Sequence, residues 1–215
     1  MCHWLCQCVV SPLIQGNDRR NEKAVLHRKL VKHFHEAGHL HELTFSCYQR
    51  MPLLTNDTWR EELSRCIESA GVESEMELVG FVFMPEHVHL LVYPKSPNVS
   101  ISFYLARVKQ PFSKRIREIL AAEGSPLLSQ LTLQERPGKT CFRFWQAGPG
   151  FDRNLLSSEA IASSLEYIHN NPVNRRLCEQ AMQWKWSSAR YYLDLPSRQH
   201  PELPTIHGLP DGAIS

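Results

Sequence analysis

Apolar residues alternate with polar ones in some segments of the chain and recur every three to four positions in others. Alternation is the pattern of a strand with one buried face, and the longer period is that of a helix with one buried stripe. The alternating or continuously apolar segments predict strands at residues 42–48, 76–84, 87–93 and 141–146. The helical period predicts helices at residues 22–37, 57–70, 100–122, 158–170 and 184–193. The strand at 76–84 is almost wholly apolar, which indicates burial on both of its faces.

Glycines and prolines set the expected limits of these helices. Gly71 is expected to end the helix before it, and Pro172 lies just beyond another, where helices commonly stop. Ser157 would cap the start of that second helix. Pro111 is expected to kink the long helix or to split it in two, because proline lacks an N–H donor. Residues 124–139 show no clear period and are expected to form a polar connection.

The order of the elements predicts an α+β fold. After the N-terminal helix the chain runs as strand, helix, strand, strand, helix, strand and helix. Two strands joined by a tight turn are antiparallel, and strands joined through a helix usually form right-handed crossovers. The economical arrangement is a ferredoxin-like antiparallel sheet with helices packed on one face. We expect residues 1–37 to form an appendage, residues 38–195 the main domain, and residues 196–215 a flexible tail.

Composition narrows the classes of protein without choosing among them. The chain is 42% hydrophobic and 21% charged, so it can bury a packed core. Its formal charge of +2 neither requires nor excludes a nucleic-acid partner. Its seven cysteines are scattered without a CxxC pair, which favours free thiols in the cytoplasm. No apolar run approaches the roughly 20 residues that span a bilayer, so we expect no membrane association.

A pair of histidines, His87 and His89, begins an apolar strand. Side chains two positions apart on a strand point to the same face, and residues 90–92 would bury that strand. Two buried imidazoles are costly unless they are hydrogen-bonded or bind a metal, and the pattern leaves both alternatives open. Similar pairs occur at residues 33–35 and 39–41. The first pair falls on opposite sides of a helix, and the second is expected to have a structural or surface role.

Tyr167 and Asn171 lie four residues apart on a predicted helix, so their side chains share one side of it. The ordinary interpretation of the tyrosine is an amphipathic side chain that seals the margin of a core. Asn171 precedes Pro172 and is by the same standard an ordinary helix-end residue. His169, between them, is predicted either to face solvent or to assist a phosphate. A hydroxyl nucleophile close to paired histidines would suit cleavage of a phosphodiester.

Basic residues concentrate on the long helix and around the last strand and helix. A solvated helix face is the default explanation of such charges, and binding of phosphates in single-stranded nucleic acid is the alternative. The candidate DNA-binding residues are Arg107, Lys109, Lys114, Arg115, Arg143, Arg153 and Arg175.

Several motifs occur together and in a fixed order. They are MPEHVHLLV (84–92), FRFWQAGPGFDRN (142–154), LEYIHNNPV (165–173) and WKWSSARYY (184–192). Over roughly residues 38–193, this series resembles the REP-associated tyrosine transposases. Those proteins belong with the single-tyrosine HUH nucleases of insertion sequences. Separate motifs in register are far more specific than any one of them.

The resemblance implies both a fold and a chemistry. It implies a ferredoxin-like palm with Mg²⁺ or Mn²⁺ held by His87, His89 and Asn171. It implies that Tyr167 is the nucleophile of a single-stranded DNA endonuclease and strand transferase, which forms a 5′-phosphotyrosine intermediate on REP-like hairpins. Such an enzyme acts in DNA transposition and recombination. Glu86 matches the acidic residue that precedes the histidine pair in the family, and it is not expected to be a ligand.

The alternative function is a non-catalytic module that binds single-stranded nucleic acid on a ferredoxin-like sheet. Formation of a covalent protein–DNA adduct separates the two functions, because only the nuclease forms one. We expect a bacterial, DNA-associated cytoplasmic protein that is a monomer rather than a dimer.

Overall fold

The structure is a computed structural model that describes residues 39–148, 150–193 and 200–210. The expected appendage at 1–37 lies outside the described residues, together with its helix and its histidine pair at 33–35.

Among the residues that the structure describes, six strands form two separate antiparallel sheets. They are β1 (Leu40–Ser46), β2 (Met76–Phe83), β3 (His87–Pro94), β4 (Thr132–Arg136), β5 (Lys139–Phe142) and β6 (Phe151–Leu155). The central sheet has the order β2-β3-β1-β6, and β4 pairs with β5 alone. Every neighbouring pair in the central sheet is antiparallel. The strand order, with β3 between β1 and β2, confirms the ferredoxin-like α+β fold.

In the described part of the chain, five α-helices connect and cover the strands. They are α1 (Asp57–Glu73), α2 (Ile101–Ala122), α3 (Pro126–Gln130), α4 (Ser158–Asn174) and α5 (Ala189–Leu193). Ser157 caps α4 as expected, because its hydroxyl accepts a hydrogen bond from the Ala160 N–H. Gly71 does not end α1, which continues to Glu73.

Pro111 does not split its helix and Pro172 does not end its own, so both of these expectations were wrong. The helix α2 runs unbroken through Pro111, whose side chain is exposed. The proline removes one backbone N–H donor and so one hydrogen bond of the helix. Pro172 lies inside the last turn of α4 rather than beyond it. The Pro172 carbonyl accepts a hydrogen bond from the Leu177 N–H just after the helix. Asn171 is therefore a helical residue and not a terminal one.

The helices cover both faces of the central sheet, where one face was expected. Residues of α1 and α2 share a core with Val88, Leu90 and Val92 of β3. Residues of α4 pack on the opposite face, where Leu91 of β3 is buried. The physical reason is that β2 and β3 are apolar on both faces, and each face must be shielded from water.

The predicted strand at 141–146 is not the fourth strand of the central sheet. Its first part belongs to β5, which forms a hairpin with β4, and Trp145 makes an isolated bridge to Cys47. The fourth strand is β6, an edge strand that alternates exposed and partly buried residues. Residues 124–139, expected to be a connection, contain α3, β4 and the start of β5.

The prediction of a flexible tail at residues 196–215 is wrong for residues 200–210, which pack against the domain. Ile206 is buried in the core shared by α1 and α2. The His207 N–H donates to the Leu78 carbonyl, and the Thr205 hydroxyl donates to Glu68 at 2.6 Å. In the part of the chain that the structure describes, no helix has the length and apolar character needed to cross a membrane.

Gly80 is the point where α4 approaches the sheet most closely. It lies at the irregularity in the register between β2 and β3. A Cβ atom added there would lie 2.8 Å from Leu165 Cδ2 and 3.3 Å from Ile168 Cδ1. The missing side chain therefore lets α4 lie against the strand, and this contact sets the height of the helix above β3.

A methyl group at Gly80 is expected to push α4 away from the sheet. We predict that Gly80→Ala lowers the free energy of unfolding by about 1–3 kcal/mol, as overpacking of a tight core does. Urea denaturation measures the change. Leu165→Ala removes the nearest clashing atom, so the double variant should lose less stability than the two single losses added together. Additive losses would show that the two residues do not touch.

Candidate active site

His87 and His89 lie side by side on the face of β3 that α4 covers. Their Nε2 atoms are 3.0 Å apart, and both residues are buried. The two rings meet edge to face, with centroids separated by 4.8 Å. Two imidazole nitrogens at this separation either share a hydrogen bond or are placed as a pair of metal ligands.

The Nδ1 atoms of both histidines are fixed by hydrogen bonds on the side away from the pocket. His87 Nδ1–H donates to a carboxylate oxygen of Glu86 at 3.1 Å. Because a carboxylate only accepts, this bond leaves the His87 Nε2 lone pair directed at the pocket. His89 Nδ1 is hydrogen-bonded to the Thr44 hydroxyl at 2.9 Å, across the β1–β3 ladder.

Burial keeps the pair uncharged. It lowers the pKa of His89 to about 3, with repulsion from His87 and Arg50 adding to the effect. Burial also lowers the pKa of His87, and the nearby Glu86 opposes that shift. Both imidazoles are therefore neutral at neutral pH, which is the form that binds a cation.

The helix α4 carries two further side chains over the same position. The Asn171 side-chain nitrogen lies 3.3 Å from His89 Nε2, and the residue is 7% exposed. The Tyr167 ring stands edge-on to His89 with centroids 5.7 Å apart. Tyr167 is 52% exposed, so it does not seal a core margin. One turn of helix thus joins an amide and an accessible hydroxyl to the histidine pair.

The donor set fits a divalent cation. Within residues 39–148, 150–193 and 200–210, no three His, Cys, Asp or Glu side chains are grouped to hold a metal. The Asn171 amide lies beside the histidine pair and is the candidate for a third donor. Turning that amide over presents its oxygen instead of its nitrogen. Two nitrogens that bind one ion at about 2.1 Å in adjacent octahedral positions lie about 3.0 Å apart. The histidine nitrogens have this separation.

These groups line an open pocket of about 310 Å³. Its lining residues are Thr44, Arg50, His87, His89, Tyr167, Asn171, Asn174 and Arg175. Thr44, Arg50 and Asn174 were not predicted from the sequence. Thr44 lies opposite His89 in the strand register, so a correct pairing of β1 with β3 would have found it.

The candidate DNA-binding residues do not converge on this pocket. Only Arg175 lines it, and its guanidinium donates to Glu86 at 2.8 Å. Arg107, Lys109, Lys114 and Arg115 are on α2, behind the sheet, where Arg107 is paired with Glu73. The remaining two are paired as well, Arg143 with Glu135 and Arg153 with Glu42.

Two other histidines have structural positions. His41 of the pair at 39–41 is buried, and its Nδ1 lies 2.9 Å from Asp152, in line with the structural role expected. His169 does not face solvent, because its Nε2 is hydrogen-bonded to Ser188 at 2.8 Å. Burial lowers the pKa of His169 to about 4.

Comparison with known proteins agrees with the motifs. The sequence model of the family described as "Transposase IS200 like" matches residues 36–129, which include His87 and His89 and end before α4. A Haemophilus influenzae protein, provisionally named as a REP-associated tyrosine transposase, is 24% identical over 126 residues. That match covers 59% of this chain, and the chain spans 65% of the relative's length.

A solved structure shows the same fold. It is a REP-associated tyrosine transposase bound to a REP hairpin, with a TM-score of 0.57 and 18% sequence identity. The match covers 86% of this chain and 95% of that one. At 18% identity, it shows that the two proteins share a fold and nothing more. In sequence the chain is similar to the IS200-like transposases over residues 36–129, and in fold it is similar to a REP-associated tyrosine transposase. These similarities confirm the resemblance seen in its sequence.

The low pKa of His89 predicts acid sensitivity of the metal-free protein. The unfolded histidine binds its proton near pH 6.5 and the folded one near pH 3, so stability is present above pH 6.5 and is lost as the pH falls. We predict that His89→Gln reduces the loss of unfolding free energy between pH 7 and pH 5 by about 2 kcal/mol.

Urea denaturation in EDTA measures this difference. The matched control is His207→Gln, because His207 is exposed on the surface. It should keep the parent's pH dependence. A His89→Gln protein with the full pH dependence of the parent would contradict the burial of a neutral imidazole.

Proposed function

We propose that the protein is a metal-dependent single-stranded DNA endonuclease and strand transferase that forms a 5′-phosphotyrosine intermediate on hairpin DNA. The observation that carries the proposal is the contact of the exposed Tyr167 ring with His89, whose Nε2 is 3.0 Å from that of His87. A nucleophile and a candidate cation site therefore border one pocket.

His87, His89 and Asn171 would hold Mg²⁺ or Mn²⁺ in this pocket. Two nitrogen donors suit Mn²⁺ better than Mg²⁺, which prefers oxygen. A cation bound there would polarise the scissile phosphate and offset the charge that develops on it. Glu86 and Thr44 orient the two rings, so the nitrogens are already positioned before substrate arrives.

Tyr167 would attack the phosphorus atom of the strand. A bond forms between its oxygen and phosphorus, the tyrosine proton is lost, and the bond to the 3′ oxygen breaks. The departing oxygen takes up a proton and becomes a free 3′-hydroxyl. Because the phosphotyrosine is itself a diester, a second 3′-hydroxyl can reverse the step and join strands without ATP. The exposure of Tyr167 lets a phosphate reach its hydroxyl from solvent.

The substrate proposed is a DNA hairpin with unpaired nucleotides beside it. The solved REP-associated tyrosine transposase is bound to a REP hairpin. Unpaired nucleotides expose both base edges and backbone, and an open pocket admits a single strand more readily than a duplex. The site draws Tyr167 and the histidines from one chain, so a monomer has the complete set of groups. A binding module that does not cut DNA would have no use for this arrangement.

Tyr167→Phe tests the nucleophile. The protein is mixed with Mn²⁺ and a library of short hairpin oligonucleotides with randomised unpaired flanks, and adducts are separated on denaturing gels. We expect no adduct from Tyr167→Phe, because the attacking oxygen is gone. Binding should change little, since one hydroxyl contributes about 1 kcal/mol.

Tyr191→Phe is the matched control and should form adducts like the parent. Adducts of equal yield from Tyr167→Phe would assign the nucleophile to another residue. Hairpin binding without adducts from the parent would favour the binding module.

Removal of a histidine tests the cation site without reference to activity. Mn²⁺ at a hundred times its dissociation constant should stabilise the parent by about 2.7 kcal/mol, because only the folded state has the site. His89→Ala should abolish this stabilisation, and His207→Ala should keep it. The thermal midpoint with and without Mn²⁺ measures both, and an equal shift in His89→Ala would place the ion elsewhere.

A further inference from the structure

The charges around the pocket do not balance. Arg50 and Arg175 both line it and both approach the same oxygen of Glu86, at 3.6 Å and 2.8 Å. Glu86 is the one carboxylate that contacts them among the described residues. The other lining side chains are those of Thr44, His87, His89, Tyr167, Asn171 and Asn174, and none of them is a carboxylate. Two guanidinium groups against one carboxylate leave a surplus positive charge that faces solvent.

Arg50 is not held there as part of the framework. Its side chain is 63% exposed, and its separation from Glu86 is too long for a hydrogen bond. An exposed ion pair of this kind contributes little to stability. Its guanidinium is therefore accessible to a ligand that enters the pocket.

The backbone presents Arg50 in an unfavourable conformation. Gln49 and Arg50 both have positive φ angles, 51° and 54°, just after the end of β1. Residues other than glycine and asparagine seldom adopt this left-handed region, and such strain concentrates at functional sites. The turn is fixed by the Gln49 N–H, which donates to the Gln146 side chain at 3.1 Å. The arginine is therefore brought to the pocket at a conformational cost.

The Glu86 carboxylate lies between the two arginines and the histidine pair and contacts both. It accepts from both His87 and Arg175. Tyr167 contacts the other histidine, His89. The arginines thus lie on the His87 side of the pocket and the nucleophile on the His89 side.

We propose that Arg50 and Arg175 form a binding site for a phosphodiester group next to the one that is cut. The proposal deepens the proposed function, because the phosphate belongs to the same DNA strand. Guanidinium groups bind phosphate oxygens through paired hydrogen bonds. A strand held at this site would run across the histidine pair, which places the next phosphate at Tyr167.

The test measures how binding depends on salt. The probe is a fluorescein-labelled oligothymidylate, bound in EDTA by the Tyr167→Phe protein so that no cleavage intervenes. Removal of one arginine–phosphate interaction should reduce the slope of log affinity against log salt by about 0.7. We expect that reduction for Arg50→Gln, about twice that reduction for Arg50→Gln with Arg175→Gln, and the parent's slope for Arg50→Lys.

Arg65→Gln is the matched control. Arg65 is as exposed as Arg50, and it is paired with Glu61 and Glu62 on α1, on the other side of the sheet. It should leave the slope unchanged. Arg50→Gly should melt no lower than the parent, because glycine relieves the left-handed turn, and its slope should fall as it does for Arg50→Gln.

An Arg50→Gln protein with the parent's slope, or an equal effect of Arg65→Gln, would overturn the assignment. Inorganic phosphate is titrated in parallel at constant ionic strength, and tighter binding of the free ion than of the oligonucleotide would also overturn it. If the slope depends on Arg50 but the protein with Tyr167 intact forms no adduct with Mn²⁺, the nuclease function is contradicted and the phosphate site stands. If adducts form but the slope does not depend on Arg50, the nuclease function stands and the phosphate site is contradicted.

Discussion

The packing of α4 against the second face of the sheet is the contact on which the site depends. The histidine pair is fixed by β3, but Tyr167 and Asn171 reach it only because α4 lies directly over the strands. Gly80 permits this approach, since any side chain there would meet Leu165. A core that seals the sheet therefore also sets the distance between Tyr167 and the histidine pair. In this fold the requirements of burial and of chemistry fall on the same helix.

Much of this arrangement could be predicted from the sequence. The periodic apolar positions predict the strands and helices, and the separate motifs mark the residues of the site. The histidine pair lies on one face of β3 as the two-residue period requires, and Tyr167 and Asn171 share a side of α4. The assignment of all helices to one face failed, although the apolar strand at 76–84 indicated two buried faces. The polar edge strand β6 has no such signal, because one of its sides is exposed to water.

Other features depend on tertiary contacts that no local pattern reports. Thr44 becomes a partner of His89 only through the β1–β3 register. Arg50 reaches the pocket through a left-handed turn, and glutamine and arginine give no hint of that conformation. Pro172 would ordinarily mark a helix end, yet packing holds the last turn of α4 in place. Site residues of this kind are found only after strands and helices have been assembled.

We propose that one pocket unites a cation held by His87, His89 and Asn171 with the hydroxyl of Tyr167. A crystal grown with Mn²⁺ and measured at the manganese absorption edge would locate that cation. We expect one anomalous peak bonded to both Nε2 atoms and to the Asn171 amide oxygen, with the Tyr167 hydroxyl facing it. A peak at another place, or a Tyr167 ring turned away from His89, would contradict this arrangement.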